Sequence, residues 1–288
     1  MRFNITYLGP EHLFSLRRDY KLSIQYALQD LGHEVHLSYR SIEKDCINII
    51  SGAYFQDKKT LEAIRQSGSK YININTEVVT PNSLNFNPDK TDFLGSYLPF
   101  MQSGEAIWEV IAPNIDEYKK LNTDASYIHF GYHPRLEEIH HNPNKDLDFY
   151  LFGMLSDRRK NIINELHRRG YRGIADHSCP HFLRNDRIAR AKVQLNIRQE
   201  DIYSHVPCFR IFYLANNKCA ILSEQEVDPT GYLDCAKTVS STENYVDVFE
   251  QLIQENRYKQ LAEESFELFK QTPMTECVEK VLDETLVK

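Results

Sequence analysis

Short apolar runs alternate with amphipathic stretches through the first half of the chain. Residues 1–8 form an apolar run that ends at Gly9-Pro10, and residues 16–31 carry apolar side chains at helical spacing, which predicts a helix ending near Gly32. The remaining predictions for this half are strands at 35–39, 46–51, 71–75 and 126–130 and helices at 60–67, 106–110 and 116–121. Strands that alternate with helices predict an open α/β sheet.

The same alternation starts again at Phe149 and continues through the second half. The predicted strands are 149–152, 173–175, 193–197, 220–222 and 238–240, and the predicted helices are one that ends at Gly170 and those at 184–190, 209–215, 246–254, 258–269 and 274–286. The polar, proline-containing segment 134–147 separates the two halves. We therefore predict one domain at 1–140, a second at 141–272 and a C-terminal helix at 273–288.

A long polar connection interrupts the first half. Residues 80–103 contain several asparagines together with Pro81, Pro88 and Pro99, which predicts an irregular loop. A loop of this length inside a compact domain is often functional.

Composition narrows the class of protein. The chain has 288 residues, of which 41% are hydrophobic and 26% charged, and this suits two globular domains. The formal net charge of -7 argues against a protein that grips nucleic acid with its whole surface, while a local basic cleft stays open. No apolar run approaches the roughly 18–20 residues of a membrane span, and the N-terminal strand is too short and polar for a signal peptide. Six scattered cysteines without a disulfide pattern add to the prediction of a reduced, cytoplasmic protein.

A basic turn follows the first strand of the second half. Phe152-Gly153 ends that strand, and Arg158, Arg159 and Lys160 begin the helix after it. A helix start offers free backbone N–H groups, and cations there oppose the helix dipole unless an anion is bound. Arginines grip phosphates with paired hydrogen bonds. The turn therefore predicts a pyrophosphate site, and a solvated first helical turn is the alternative.

Later segments supply further candidate ligands. Arg210 lies at the start of a predicted helix, where it is either a second phosphate contact or an ion-pair partner. Ser223 and Glu224 end a buried strand, which is where parallel sheets present ligand groups. Glu224 is suited to accept hydrogen bonds from ribose or sugar hydroxyls, and a plain loop residue is the alternative.

The order and spacing of several short motifs carry a family resemblance. In the second half they are Phe152-Gly153, Arg158-Arg159, Leu195-Asn196-Ile197, Arg210-Ile211-Phe212 and Ala220-Ile221-Leu222-Ser223-Glu224. The first half adds the pattern over residues 26–35, Trp108-Glu109 and Gly131-Tyr132-His133-Pro134. Together these motifs resemble the family-1-like glycosyltransferases with a GT-B fold, and among them the spore-maturation (CgeB-like) subgroup.

The resemblance implies an α/β protein of two Rossmann-like domains facing each other across a cleft, with a C-terminal helix that crosses back to the N-terminal domain. It also implies that the second domain binds the nucleotide sugar. The implied donor-binding residues are Gly153, Arg158, Arg159, Lys160, Asn196, Arg210, Ser223 and Glu224. Relatives usually carry a glutamate where this chain has Phe212 and a glycine where it has Asn217, so one ribose contact of the family is missing.

Candidates for the catalytic proton acceptor lie in the first half. Glu77 follows the strand at 71–75, at the carboxyl end of the predicted sheet, and Glu11 and His12 follow the first strand beyond Gly9-Pro10. A carboxylate or a neutral imidazole in these positions can take the proton of an acceptor hydroxyl. For each of them a solvated loop residue is the alternative.

No sequence motif predicts a metal site. The segment His177-Ser178-Cys179-Pro180-His181 has no second Cys or His pair at zinc-like spacing nearby. We therefore expect no cofactor and no divalent metal, with arginines and the helix dipole neutralising the diphosphate.

The leading hypothesis is a cytoplasmic, metal-independent glycosyltransferase that moves a sugar from a nucleoside diphosphate sugar to an acceptor hydroxyl. The acceptor is a glycan, a protein, a small molecule or DNA. One alternative is a catalytically inactive subunit that binds a nucleotide or glycan and partners another enzyme, which the Phe212 replacement and the short chain favour. The other is a DNA-modifying sugar transferase, against which the net charge of -7 stands.

Overall fold

The described residues, 1–205 and 208–286, fold into two α/β units in a computed structural model. The first unit contains Met1–Phe130 and the C-terminal segment from Met274, and the second contains Gly131–Pro273. Each unit is built on a parallel sheet, so the predicted fold class is confirmed. None of the described helices is long and apolar enough to cross a membrane.

The first unit is a doubly wound sheet. Its elements up to residue 130 are β1 (Arg2–Tyr7), α1 (Glu11–Leu16), α2 (Arg18–Asp30), β2 (Glu34–Tyr39), β3 (Ile47–Ser51), α3 (Lys58–Gln66), β4 (Tyr71–Asn75), α4 (Leu98–Gln102), β5 (Ala106–Glu109), α5 (Asn114–Lys120) and β6 (Ser126–Tyr127). The strands are all parallel and lie in the order β2-β1-β3-β4-β5-β6. Helices cover both faces of such a sheet, which explains why central strand residues such as Ile5 and Ile49 are fully buried. The strand order reverses between β1 and β3, and this switch point is where doubly wound sheets bind ligands.

The second unit repeats the plan with five strands. Its elements are β7 (Leu147–Phe152), α6 (Asp157–Arg168), β8 (Gly173–Asp176), α7 (His181–Arg190), β9 (Ala191–Asn196), α8 (Cys208–Asn216), β10 (Ile221–Glu224), β11 (Lys237–Val239), α9 (Tyr245–Gln254) and α10 (Tyr258–Phe269). The parallel strands lie in the order β11-β10-β9-β7-β8. Its switch point therefore lies between β7 and β9.

The last helix, α11 (Met274–Leu286), belongs to the first unit although it follows the second in sequence. It packs on α2, β5 and β6 and buries Met274, Val278 and Val281. The only tryptophan of the chain, Trp108, is fully buried on β5 and donates its indole N–H to Thr285 Oγ1 of this helix over 3.4 Å. The expectation of a C-terminal helix that returns to the first domain is thus confirmed.

Several segments differ from the sequence predictions, among them the strand predicted at 126–130, which is only Ser126–Tyr127 in the structure. Residues 106–109 form strand β5 instead of a helix, because Ile107 and Trp108 are buried and their backbone completes the ladder between β4 and β6. The helix predicted over 16–31 begins later, as α2 at Arg18, and an unpredicted short helix, α1, precedes it over Glu11–Leu16. Residues 93–102, predicted to be irregular, form a π-helical turn and α4, whose aromatic side chains enter the core.

Candidate functional site

Two arginines meet at the switch point of the second unit. Arg159, in the first turn of α6, donates from Nε to the carbonyl oxygen of Ile197 over 2.8 Å and from Nη1 to that of Met154 over 2.7 Å. Arg210, in the first turn of α8, donates from Nη1 to Asn196 Oδ1 over 2.6 Å and from Nη2 to the carbonyl oxygen of Phe152 over 2.8 Å. Both guanidinium groups are thereby fixed by the ends of β7 and β9.

Neither arginine has a carboxylate partner among residues 1–205 and 208–286. Arg159 is 5% exposed and Arg210 is 9% exposed, and Nε of Arg210 is buried without a hydrogen-bond acceptor. Burial, together with the nearby positive charge of Arg159, lowers the pKa of Arg210 to about 9. Burial also lowers the pKa of Arg159. Two like charges held out of water without a direct ion pair are costly, Glu226 and Glu224 offset part of that cost from farther away, and an anionic ligand offsets more of it.

Gly153 lies directly against this pair. Its φ of 126° is rare for residues with a side chain, and a Cβ atom there would stand 2.8 Å from Nη2 of Arg210 and 3.4 Å from Nη1 of Arg159. The glycine after β7 therefore places no side chain against the two guanidinium groups. The start of α6 follows: Ser156 caps the helix by accepting from the Arg159 N–H, while the N–H groups of Asp157 and Arg158 have no acceptor within the helix.

The other two basic residues in the first turn of α6, Arg158 and Lys160, pair with carboxylates. Arg158 forms a bidentate ion pair with Glu224 at the end of β10 and also donates from Nε to Asp201 over 2.7 Å. Its hydrogen bonds with Glu224 raise the pKa of Arg158 above its usual range. The Lys160 side chain is 54% exposed and pairs with Asp157 one turn earlier. Of the three, only Arg159 adjoins Arg210.

The predicted residues on β9 and β10 extend the same edge. Asn196, at the end of β9, accepts from Arg210 and donates to Ser223 Oγ over 2.8 Å. Glu224 accepts from Arg158 and from the backbone N–H of Arg198 over 2.6 Å. Asn196 therefore links Arg210 to Ser223 by hydrogen bonds, Gly153 lies against Arg210, and the Glu224 carboxylate is held separately by Arg158 and Arg198.

Sequence reasoning missed Glu226. This residue is 8% exposed, and neither of its carboxylate oxygens has a hydrogen-bond partner in the described part of the chain. Burial and the neighbouring Glu224 raise its pKa to about 8 against the opposing effect of nearby arginines. It lines a cleft of about 570 Å³ together with Arg158, Arg198 and Glu224. The signal available in the sequence was the spacing Glu224-Gln225-Glu226 just beyond a buried strand.

The catalytic candidates of the first unit have unlike surroundings. Glu77 accepts from Arg17 over 3.1 Å and from Tyr54 over 2.6 Å through one oxygen, and from Asn85 over 2.5 Å through the other. Burial alone would raise the pKa of Glu77, but Arg17 and these hydrogen bonds outweigh it and the pKa is lowered. Glu11 and His12 are exposed at the start of α1, beside the switch point between β1 and β3.

Three half-buried aromatic rings surround the same switch point. Phe14, Tyr39 and Phe55, which we call the aromatic rim, follow or end β1, β2 and β3. Each has a cation over its ring: Lys21 at 3.3 Å, Arg40 at 5.4 Å and Lys90 at 5.9 Å from the respective centroid. Arg40 and Lys90 are exposed. Flat rings bordered by cations suit a ligand with aromatic rings and negative charge.

Known structures share this architecture. An α-glucosyltransferase in complex with UDP and a 13-mer DNA containing an HMU base has 8% identity and a TM-score of 0.70, with 100% of each chain covered. T4 phage BGT in complex with its UDP-glucose substrate has 12% identity and a TM-score of 0.60, covering 99% of this chain and 100% of that chain. The chain has the GT-B fold. No protein-family model matches it, and no curated protein matches its sequence. At such identities the GT-B likeness shows the fold alone.

The expectation of a metal-free GT-B site is wrong. A structure of T4 phage BGT, with 12% identity, a TM-score of 0.59 and coverage of 99% of this chain and 100% of that chain, contains UDP together with Mn²⁺. A divalent ion is therefore compatible with the fold. The chain contains one Asp-x-Asp sequence, Asp146-Leu147-Asp148, whose two carboxylates pair with Arg190 and Lys192. Within 1–205 and 208–286, no three His, Cys, Asp or Glu side chains are grouped to hold a metal. Because Glu224 and Glu226 both face arginines, we assign neither as a metal ligand.

Proposed function

We propose that the protein is a glycosyltransferase that moves a sugar from a nucleoside diphosphate sugar to an acceptor hydroxyl. The observation that carries this proposal is the pair Arg159 and Arg210, buried without a carboxylate partner among the described residues, at the switch point of a GT-B unit. Solved proteins of this fold bind UDP or UDP-glucose, which makes a uridine diphosphate sugar the first donor to test. The short motifs shared with the spore-maturation subgroup support kinship with it.

In this proposal the second unit stabilises the leaving diphosphate. Arg159 and Arg210 supply positive charge, and the unpaired N–H groups at the start of α6 add the helix dipole. These donors are already fixed by β7 and β9, so little reorganisation is needed as negative charge develops on the leaving oxygen. Gly153 lets the phosphates approach the backbone, because nothing larger fits beside Arg210. The proposed roles of Arg158 and Lys160 are weaker, since each already has a carboxylate partner.

Glu226 is proposed to hold hydroxyl groups of the donor. A buried carboxyl without a hydrogen-bond partner gains a donor when a ribose or hexose diol enters the cleft. It would thus replace the contact that relatives make from the Phe212 position, where this chain has a fully buried ring. Glu224 stays a candidate for the same role if Arg158 releases it.

Glu11 and His12 are proposed to accept the proton of the acceptor hydroxyl. Both are exposed, and neither makes a hydrogen bond with another described residue, so a substrate can reach them. Glu77 is a poorer base, because its carboxylate is ionised and accepts several hydrogen bonds. We propose that Glu77 instead positions Arg17 and Tyr54.

The test is calorimetric titration of the protein with UDP, GDP, ADP and CMP, followed by turnover of the matching nucleotide sugars. We expect UDP to bind best, and we expect Arg159→Met and Arg210→Met each to lower its affinity at least tenfold, as loss of a charge-assisted hydrogen bond does. Arg168→Met is the control, because Arg168 lies on the same helix but is exposed and pairs with Glu165. If no nucleotide binds, or if all three variants bind UDP like the wild type, the proposed donor site is wrong.

Binding without turnover would favour the inactive-subunit alternative. To separate the two, hydrolysis of UDP-glucose in water is measured beside transfer to hydroxyl acceptors, because hydrolysis needs no acceptor site. Slow hydrolysis that Glu11→Gln or His12→Gln abolishes, while UDP affinity is unchanged, supports catalysis. Full binding with neither hydrolysis nor transfer supports the inactive subunit.

DNA is the candidate acceptor that the aromatic rim favours. Bases stack on aromatic rings largely without regard to sequence, and exposed cations beside them neutralise phosphates. A protein of the same fold was solved with DNA containing an HMU base. Phe55 and its neighbour Lys90 provide both features, so we propose that modified DNA is the acceptor to try first.

Fluorescence anisotropy with a labelled 13-mer tests this candidate. We expect weaker binding with rising salt, and several-fold weaker binding for Phe55→Ala and Lys90→Gln with unchanged UDP affinity. Leu94→Ala is the control, since Leu94 is exposed on a nearby segment and carries neither ring nor charge. Equal binding by all variants would leave the aromatic rim without a role in acceptor recognition.

A further inference from the structure

A second cavity lies at the amino ends of β9 and β10, on the edge of the second sheet opposite the arginine pair. Its volume is about 340 Å³, and its floor includes Ala191, Cys219 and Ala220 with the ring of Tyr258. The strand β9 separates the two sites, because Ala191 begins it and Asn196 ends it. At the usual rise per residue this distance is about 16 Å. A ligand here would not occupy the proposed donor site.

Positive charge borders this apolar floor. The cavity is lined by five basic residues, which are His141, Lys145, Lys192, Lys218 and Lys259, and by one acidic residue, Glu263. Lys192 and Lys218 have carboxylate partners, at 2.7 Å from Asp148 and 2.6 Å from Glu263.

Lys145 is the half-buried lysine of the cavity that lacks a carboxylate partner among the described residues, whereas Lys259 is exposed. The ammonium group of Lys145 donates to the carbonyl oxygen of Ala189 over 2.9 Å and lies 3.1 Å from Nδ1 of His141. Burial lowers the pKa of Lys145 and of His141. Gln194, which also lines the cavity and is 2% exposed, has a buried Oε1 without a hydrogen-bond partner among these residues. A partly buried cation beside apolar walls is typical of a small-molecule site, and the Gln194 oxygen can accept a hydrogen bond but does not attract an anion.

We propose that this cavity binds a small amphipathic anion, with its apolar body on the alanine and tyrosine floor and its carboxylate or phosphate on Lys145. The anion supplies the counter-charge that Lys145 lacks, and the volume accepts a chain of roughly eight carbons within the size range of ligand pockets. Charge complementarity selects an anion over a neutral ligand of the same length. The proposal is independent of the donor site, because the two cavities share no lining residue.

The probes are anilinonaphthalene sulfonate, followed by fluorescence, with octanoate and octanol as matched competitors. We expect one dye per chain, displaced by octanoate at lower concentration than by octanol, and not displaced by saturating UDP. Lys145→Gln should raise the octanoate dissociation constant about tenfold and leave that of octanol unchanged, since one charge-assisted contact is lost. Ala220→Leu should abolish binding of the dye by filling the cavity.

Lys270→Gln is the matched control, because Lys270 lies on the same unit, outside the cavity, and pairs with Glu267. Thermal unfolding of each variant verifies that it folds. If Ala220→Leu does not fold, the octanoate affinity of Lys145→Gln alone decides the proposal. Equal displacement by octanoate and octanol, an unchanged octanoate affinity in Lys145→Gln, or displacement of the dye by UDP each overturns the proposal.

Discussion

At the residue scale, three consecutive basic side chains in one helical turn have three different environments. Arg158 is paired with Glu224, Arg159 is buried with backbone partners, and Lys160 faces solvent. Successive residues of an α-helix point about 100° apart, so only one of the three can face the sheet edge beside Arg210. The physical difference between them is the presence or absence of a carboxylate. An arginine without one is the better anion ligand.

Gly153→Ala tests whether that edge is open to a ligand. The new Cβ would meet Arg210 at 2.8 Å, so we expect UDP affinity to fall at least tenfold, alongside a stability loss of roughly 1–3 kcal/mol from the positive φ. Gly170→Ala is the control: Gly170 has a φ of 91°, but nothing lies within 4 Å of its added Cβ. Thermal unfolding and calorimetry should show comparable destabilisation of both variants and weaker UDP binding in Gly153→Ala only. Equal UDP affinities would contradict the assignment.

Glu226→Gln tests the buried carboxyl through pH. The pKa of Glu226 rises from 4.5 to about 8 on folding, so between these values the folded chain binds more protons than the unfolded chain. The free energy of unfolding therefore falls as pH rises through this window, by about 1.4 kcal/mol per unit of raised pKa at most. The glutamine variant lacks this loss, and its stability relative to wild type should grow from pH 5 to pH 8.

Urea unfolding at each pH checks this expectation, with Glu267→Gln, an exposed glutamate of the same unit, as the control. Glu109 of the first unit also has a pKa raised to about 8, by burial, and burial lowers the pKa of Lys21 to about 7, so the wild-type pH dependence has several sources. The difference between Glu226→Gln and wild type isolates one of them. Parallel pH curves for the two proteins would refute the raised pKa.

Side-chain roles were only partly predictable. The sequence placed Arg159 and Arg210 at helix starts, which is a local property, and both lie at the switch point. Whether Arg158 or Arg159 is free of a carboxylate depends on Glu224, which is 66 residues away from Arg158 in sequence. The unmet hydrogen bonds of Glu226 likewise depend on which residues of other strands surround it. Partnership across such distances is set by packing and cannot be inferred from local pattern.

At the element scale, the start of α6 connects helix capping to the proposed ligand. Ser156 accepts from the Arg159 N–H and donates to the carbonyl oxygen of Gln199 over 2.5 Å, so its hydroxyl ties the helix start to the loop after β9. Fixing this helix start fixes the Arg159 side chain as well. The cap therefore belongs to the positioning of the site as much as to the stability of the helix.

Ser156→Ala should separate these two effects. We expect a stability loss of about 1 kcal/mol, as for other lost caps, and several-fold weaker UDP binding. Asn244→Ala is the matched control, because Asn244 caps α9 by accepting from Val246 and Asp247. Chemical unfolding should give similar losses for both, while calorimetry finds weaker UDP binding in Ser156→Ala alone. Unchanged UDP affinity in Ser156→Ala would restrict the cap to a purely structural role.

Helices and strands were predicted correctly where one hydrophobic period ran along the whole element. Helices α10 and α11 have the predicted bounds, because an apolar stripe at helical period runs along each of them. Strand β5 was mistaken for a helix, because four residues, three of them buried, are too few to distinguish the two periods, and pairing with β4 decides the outcome. The helix over 93–102 was hidden by polar residues and Pro99, which lies in the first turn of α4, where proline is tolerated.

At the scale of the whole molecule, the C-terminal helix makes the first unit depend on residues that follow the second. Deleting 274–288 removes the α11 side chains that pack on α2 and leaves Trp108 without its cover. Burial of apolar side chains contributes roughly 1.5–3 kcal/mol each, and Met274, Val278, Val281 and Leu282 are all buried, so the loss is large for a unit of this size. The second unit contains the whole proposed diphosphate site and keeps its own sheet and core.

We therefore expect the truncated chain to lose the structure of the first unit and still bind UDP. Trp108 reports on the first unit alone because it is the only tryptophan, so its emission should shift to the red while UDP titration gives an affinity within a few-fold of the full chain. Thr285→Val is the milder control, since it removes only the partner of the Trp108 indole N–H and should leave the emission nearly unchanged. Loss of UDP binding in a truncated chain whose second unit remains folded by circular dichroism would show that the second unit does not suffice for the diphosphate.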